Sequence, residues 1–470
     1  METRIPSAEE ENRLLKIDED HFNDFKSKRI APAKLQESFT AFANADGGEI
    51  WVGVEDKNTV GERILGFKTK EEANDHIKTL LELTNPAVEN VDLEFLDFQS
   101  RGYVLHISIP KSPKVHYTTN GDCFIRLNAS SNKIKGEKIT ALGYAKGAFP
   151  YEKQAVDITS TNEYQDNDRV KDYMSKVGSK LSAFDFLKKQ RLITEKNKEF
   201  KPNVACVLLF DEEPQATLDT KCAIKVYRLL TSEAEYKRDQ LKDPPITING
   251  PVEEQIFKAI ASINKLLEGA TVEIDGKMVK TTYPEKTIHE ILVNSVIHRD
   301  YSLNDDIHVK IYDDRVEIIS PGKLPGFITV ENIYTERFLR NPNTVRLLHN
   351  LPNPVNHDIG EGLDTARNEM KKVGLIDPII EEQNNSVKVT IRYKKRIASL
   401  EDVIQKYFEE NPEGTITNGD VRKISGEDDI NKVKSALQRL RKLKIIEPVN
   451  PKASAFDYAY RRVKPNNEAI

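Results

Sequence analysis

The stretch Thr287-Ile288-His289-Glu290-Ile291-Leu292-Val293-Asn294-Ser295-Val296-Ile297-His298-Arg299-Asp300-Tyr301-Ser302 decides how the chain is read. Ile288, Ile291, Leu292 and Ser295 recur with helical spacing, giving a helix from Tyr283 one side to pack on a core. Glu290 and Asn294 are four apart, so a helix points both to one side, where a carboxylate and a carboxamide can act together. The magnesium ion of a triphosphate takes hard oxygen ligands and keeps several waters. Asn294 can supply an amide oxygen, and Glu290 can orient or deprotonate a water. The same pair also suits a solvated polar helix face.

Two strands are expected next, Ile307–Tyr312 and Arg315–Ile319, joined by Asp313-Asp314. They place a sheet behind the helix. The second strand runs into Ser320-Pro321-Gly322-Lys323-Leu324-Pro325, and Arg340-Asn341-Pro342 and Gly360-Glu361-Gly362-Leu363 follow. Glycines let a backbone approach phosphate closely, and amides at a following helix N-terminus favour negative charge, so Gly360 and Gly362 suit a triphosphate.

In this order the four motifs resemble those of the histidine-kinase/gyrase/Hsp90 (GHKL) ATPase family, in a divergent branch whose helix ends in His298-Arg299-Asp300-Tyr301. The resemblance implies a GHKL-type α/β sandwich over residues 282–395. It implies ATP contacts from Glu290, Asn294, His298, Arg299, Ser320, Gly322, Gly360, Gly362 and Leu363, with Asn294 on the ATP magnesium. It also implies pairing into a homo-oligomer, with ATP as a switch or clamp. The chain departs from the wider family where an Asp reads adenine. Ser320 or Pro321 stands there instead.

Upstream, Leu35, Phe39 and Phe42 are spaced as in a helix over residues 33–44, and Ala45-Asp46-Gly47-Gly48 ends it before the β-rich run Glu49–Val54. Alternation returns at Val91–Phe95 and Tyr103–Ile109. Glu19, Asp24 and Asp56 are acids that, brought together, could hold a divalent cation against a phosphodiester, with Lys26 steadying the charge that develops. Acids in a charged N-terminus are also simply solvated.

The segment Glu19 to Lys26, then Ala41-Phe42-Ala43-Asn44, Gly47-Gly48, Gly53-Val54-Glu55-Asp56 and Cys123–Leu127, resembles the Schlafen/AlbA_2 domain. The resemblance implies a nuclease site on Glu19, Asp24 and Asp56 with Mg²⁺ or Mn²⁺, with Lys26 beside it. Asp24 stands where a Glu is usual. It equally implies a regulator that binds nucleic acid without cutting it.

At the other end, Asn431 to Lys464 holds ten Lys or Arg against two acids, although the whole chain carries a net charge of −5. Any attraction for phosphate is therefore local. Lys432, Lys434, Arg439, Arg441, Lys442 and Lys444 surround Val433, Leu437, Leu440 and Leu443, as on a helix with one buried face and cations on the other. With a helix at Leu400–Phe408 and strands at Ile445–Val449 and Phe456–Val463, the order is that of a winged helix. Such a helix binds nucleic acid or docks on a protein.

Between these ends, residues 150–280 mix helical stretches at 167–189 and 252–268 with expected strands at Val204–Phe210 and Ala223–Leu229, and carry no chemical motif. At 470 residues, 38% hydrophobic and 31% charged, the chain suits a soluble protein of several domains. No run approaches the roughly 18–20 apolar residues that span a bilayer, so a cytoplasmic protein without membrane contact is expected. Cys123, Cys206 and Cys222 share no metal spacing and read as buried thiols.

The expected fold class is multidomain α+β: a Schlafen/AlbA_2-like α+β domain at 1–140, an α/β middle domain at 141–281, the ATP domain at 282–395 and a winged helix at 396–470. The expected function is an ATP-regulated, metal-dependent nuclease acting on RNA such as tRNA or on DNA, in antiphage defence. The alternative is an ATP-responsive DNA-binding transcriptional regulator.

Overall fold

The computed structural model describes all residues except 58–60, 234, 236–237, 269–270, 275–276, 281, 356–361, 394–399, 428, 451–458 and 464–470. The chain begins with β1 (Glu2–Arg4), α1 (Ala8–Lys16), β2 (Asn23–Lys26), α2 (Pro32–Asn44), β3 (Gly48–Val52), α3 (Asn74–Glu82), β4 (Asp92–Asp97), β5 (Tyr103–Ile109), β6 (Cys123–Leu127), β7 (Ser130–Ile134) and α4 (Glu137–Lys146). Five of these strands form one sheet, in the order β1-β4-β5-β3-β2.

Leu35, Phe39 and Phe42 of α2 are fully buried against Ile50, Val52, Leu105 and Ile107, as their spacing requires. On the other face Phe25 and Trp51 pack beneath Leu14 of α1. The turn between α2 and β3 needs its two glycines. A Cβ on Gly47 would lie 2.5 Å from the Ile109 carbonyl, one on Gly48 2.5 Å from the Phe42 ring, and both residues have positive φ.

A largely helical segment follows: α5 (Thr161–Asp166), α6 (Asp168–Lys176), α7 (Ala183–Lys189), the hairpin β8 (Ile193–Lys196) and β9 (Glu199–Pro202), α8 (Val204–Phe210) and α9 (Pro214–Leu218). Here one expectation fails, because Val204–Phe210 is a helix and not a strand. All seven side chains are buried, so the run has no polar face to reveal its period. Asn203 selects the helix by capping it, its Oδ1 accepting from Cys206 N at 3.1 Å.

The chain continues through β10 (Ile224–Arg228), β11 (Ile246–Ile248), α10 (Val252–Leu267), β12 (Thr271–Ile274), β13 (Lys277–Lys280), α11 (Glu285–Ile297), β14 (Ile307–Ile311), β15 (Arg315–Pro321), α12 (Pro342–His349), α13 (Gly362–Lys372), β16 (Ile379–Gln383) and β17 (Ser386–Arg392). Six of these strands pair in the order β11-β10-β14-β15-β17-β16. β10 lies parallel to β14, with Val226 opposite Val309. The sheet therefore crosses the boundary expected at 281/282, and one apolar core runs from Val156 to Ile391.

The last elements are α14 (Leu400–Glu410), β18 (Thr415–Thr417), α15 (Asn418–Ser425), α16 (Ile430–Lys442), β19 (Ile446–Pro448) and β20 (Ala459–Arg462). Three helices and an antiparallel sheet, β18-β20-β19, enclose Ile404, Phe408, Ile416, Val433 and Leu437. Phe456, expected to open the second strand of the hairpin, lies outside the described residues.

Cys123, Cys206 and Cys222 are buried free thiols. Burial pushes that of Cys222 up to about 12. No helix among the described residues is long and apolar enough to cross a membrane.

Candidate functional site

α11 turns Ile288, Ile291, Leu292 and Val296 into the core. Its other side carries Glu290, Asn294 and His298 along a cavity of about 350 Å³ beside the sheet, within the range of small-ligand sites. Ser320 and Gly322 at the end of β15 and Gly362 and Leu363 at the start of α13 close it. Seven of the nine expected ATP-site residues thus line one space. Gly360 lies outside the described residues.

Gly362 sets the spacing at one end. A Cβ there would stand 2.7 Å from Glu290 Oε2 and 3.4 Å from Asn294 Nδ2, so only a hydrogen leaves the carboxylate in place. The first amides of α13 start here, and the N-terminal end of a helix favours anions. Ser320 Oγ donates to the Ser295 carbonyl at 2.7 Å. Burial, and then Arg340 beside it, bring the His298 imidazole down to about 4, so it meets a ligand uncharged near neutral pH.

Arg299 does not belong to this cavity. Its guanidinium is buried and donates to the carbonyls of Lys221 at 2.7 Å, Leu303 at 3.1 Å and Asp305, and it stacks on Tyr301. Three carbonyls already hold the charge, and the motif's Arg and Tyr fasten the loop that follows α11. Buried Arg340 and Asn341 act similarly. Arg340 donates to the carbonyls of His298, Ala145 and Lys323, and Asn341 to those of Ile297 and Arg299.

The N-terminal acids are arranged differently from the expectation. Asp24 is fully buried, and its Oδ1 accepts from Lys26 Nζ at 2.8 Å and Arg126 Nη2 at 3.3 Å. Glu19 Oε1 accepts from the same Lys26 at 3.2 Å. Asp56 is exposed, and Glu19 and Asp56 both act on the charge of Arg63.

Among the described residues no group of three or more His, Cys, Asp or Glu could hold a metal ion. Lys26 and Arg126 both stand on Asp24 Oδ1, while Asp24 Oδ2 is buried with no hydrogen-bond partner among the described residues.

On α16, Lys432, Lys434, Arg439, Arg441 and Lys442 are all exposed, while Val433, Ala436, Leu437 and Leu440 are buried; Leu443, expected on the buried face, is exposed because the helix ends at Lys442. Lys434, Gln438, Arg441 and Lys442 share one side by helical spacing. Lys432 and Arg439 flank the other, where they meet Glu427 at 3.4 Å and Glu401 at 2.7 Å.

The sequence reading gave no such role to the acid and three cations at the junction of the cavity with the N-terminal unit: Asp46, Lys111, Lys146 and Lys323. Asp46, in the turn that ends α2, and Lys323, inside the first glycine motif, stood in stretches already singled out; Lys111 and Lys146 carried no signal.

Residues 19–135 match the family described as "Schlafen, AlbA_2", and residues 304–391 match that described as "Putative ATP-dependent DNA helicase recG C-terminal". The chain is thus a mixed α/β, multidomain protein with a Schlafen-like and an ATPase-like domain. Neither match includes Glu290 or Asn294. No curated protein matches. A solved structure, the DIP2311 protein from Corynebacterium diphtheriae, is similar at 19% identity over 97% of this chain and 96% of that one, with a TM-score of 0.41.

Proposed function

We propose that this chain binds ATP in the cavity beside α11 and that the bound nucleotide controls how its two ends engage nucleic acid. The observation that carries this is the meeting of Glu290, Asn294 and Gly362 at one end of a ligand-sized space. Asn294 makes no side-chain hydrogen bond to another described residue, which leaves its amide oxygen available to the magnesium that accompanies a triphosphate. Glu290 orients a water there. Ser320 and His298 supply neutral polar groups farther along the wall. The Schlafen and helicase-type matches support nucleic acid as the partner.

Of the two nucleic-acid readings, binding without cleavage fits the N-terminal unit better. Asp24 is neutralised by Lys26 and Arg126, so Glu19, Asp24 and Asp56 serve here as structural and electrostatic groups. The basic face of α16, on a winged-helix-like unit, is the second contact, reaching phosphates with its cations.

Calorimetry with Mg-ATP and band-shift assays on duplex DNA, single-stranded DNA and tRNA, each with and without ATP, test the reading. ATP binding lost in Asn294→Ala, together with ATP-dependent retention of one nucleic acid, is expected. No heat from the wild type sinks the nucleotide assignment. Mg²⁺- or Mn²⁺-dependent cleavage that disappears in Asp56→Ala would restore the nuclease.

A further inference from the structure

Between the end of β15 at Pro321 and the start of α12 at Pro342 the chain forms neither helix nor strand. This segment supplies the outer wall of the cavity, with Leu324, Ile328, Ile333, Tyr334, Phe338 and Leu339 among the lining residues. A wall without a ladder of its own hydrogen bonds takes its position from what it leans on.

It leans on the N-terminal unit. Lys111 Nζ, arriving just after β5, donates to the carbonyls of Leu324 at 3.0 Å and Ile328 at 3.1 Å. Gly326 N donates to the Lys146 carbonyl at 2.9 Å, and Arg340 Nη2 donates to the Ala145 carbonyl at 2.8 Å. The Phe338 ring fills a seat between Gly147 and Gly326, where a Cβ would stand 2.6 Å and 2.5 Å from it. Lys146 Nζ donates to the Ala43 carbonyl at 2.9 Å, which fastens this end of α4 to α2.

Lys111, Ala145, Lys146 and Gly147 are not among the lining residues, so a ligand in the cavity meets them only through the wall. If the N-terminal unit moves away, the wall loses these four hydrogen bonds and the Phe338 seat together. Affinity for a ligand that needs the wall then scales with the fraction of molecules in which the wall is in place. By the same linkage, a ligand that binds only that arrangement stabilises it in return.

We propose that the outer wall couples nucleotide binding to the docking of the Schlafen-like domain, so that bound nucleotide clamps that domain onto the ATPase-like one within a single chain. This rests on the ATP-binding reading and names the regulation of that site.

The full chain is titrated with the magnesium complex of a non-hydrolysable β,γ-imido ATP analogue. Calorimetry measures binding, and amide hydrogen exchange reports on residues 143–149 at the end of α4. In the wild type, analogue at about ten times its Kd is expected to slow exchange there by about tenfold.

Lys111→Met keeps the aliphatic stem and removes two of the four hydrogen bonds. It is expected to weaken analogue binding by about tenfold and to speed exchange at 143–149 in the free protein, with analogue slowing it again. A merely structural role for Lys111 would leave that exchange fast with analogue bound. Should Lys111→Met fail to fold, Gly147→Ala, whose methyl enters the Phe338 seat, is expected to weaken binding in the same way.

Binding to the wild type with exchange at 143–149 unchanged overturns the coupling and leaves the ATP site standing. So does a Lys111→Met or Gly147→Ala protein that binds the analogue as tightly as the wild type. No binding at all sinks both.

Discussion

Gly362 puts only a hydrogen atom beside the Glu290 carboxylate in the cavity. In Gly362→Ala the new methyl stands 2.7 Å from Glu290 Oε2, the far end of a flexible side chain, so the chain folds and the carboxylate moves. Losing one charge-assisted contact corresponds to nucleotide binding weaker by about 10–100-fold with Tm unchanged, measurable by calorimetry and thermal melting on one sample.

Asp24 shows the opposite behaviour. Asp24→Ala leaves the buried Arg126 with only the carbonyls of Asp20 and Asn23 and the Phe42 ring, and stability should fall by about 1–3 kcal/mol in denaturant unfolding. Asp24→Ala with Arg126→Met should recover part of that loss. A double variant no more stable than Asp24→Ala would mean the pair is not the cause.

The sequence exposed Glu290, Asn294 and Gly362 because function places them at helical spacing or in a glycine motif. It showed Lys26 beside Asp24 but hid the second partner, because Arg126 is 102 positions away and a buried arginine looks like any other in a string of letters.

Among the elements, α16 presents its charges unevenly. Lys434 and Lys442 share a side with Gln438 and Arg441, and on the other side Lys432 and Arg439 lean on Glu427 and Glu401. Lys434→Glu with Lys442→Glu should lower the slope of log affinity against log salt for duplex DNA by about 0.9 per lost phosphate contact. Reversing Lys432 and Arg439 should change it less, and equal effects of the two pairs would refute a one-sided contact.

This helix was legible because its buried and exposed positions alternate with a clear period. α8 was not. Its seven apolar residues fit a buried helix and a buried strand equally, and the cap at Asn203 that decides between them is a single side chain.

Across the chain, the junction between the Schlafen-like unit and the cavity is built from charges that burial makes costly. Lys146 is buried, and desolvation, followed by repulsion from Lys111, pushes its ammonium from 10.5 down to about 7, with Asp46 opposing the shift. The unfolded chain therefore binds more protons than the folded one between about pH 7 and 10.5, and stability must rise with pH across that window. Urea unfolding should show this rise in the wild type and a flatter profile in Lys146→Met, with the variant's advantage greatest below pH 7. Identical profiles would mean that Lys146 is solvated. No sequence pattern announces such a junction, since a lysine buried between domains obeys no local period.

The six-stranded sheet bears on what counts as a part of this molecule. The stretch that matches an ATPase-type family begins at residue 304, yet β14 pairs on its outer side with β10, some 80 positions earlier. Excised as 282–395, this segment would carry β14 as a bare edge, with its main-chain donors and acceptors on that side unpaired and α11 deprived of α10, which packs on it. Bare edges of that kind join one another. The excised piece should therefore be recovered as aggregate, while a piece beginning near 150 and ending at 395 should be recovered monodisperse. The stretch that the family match covers is shorter than the sheet to which its strands belong.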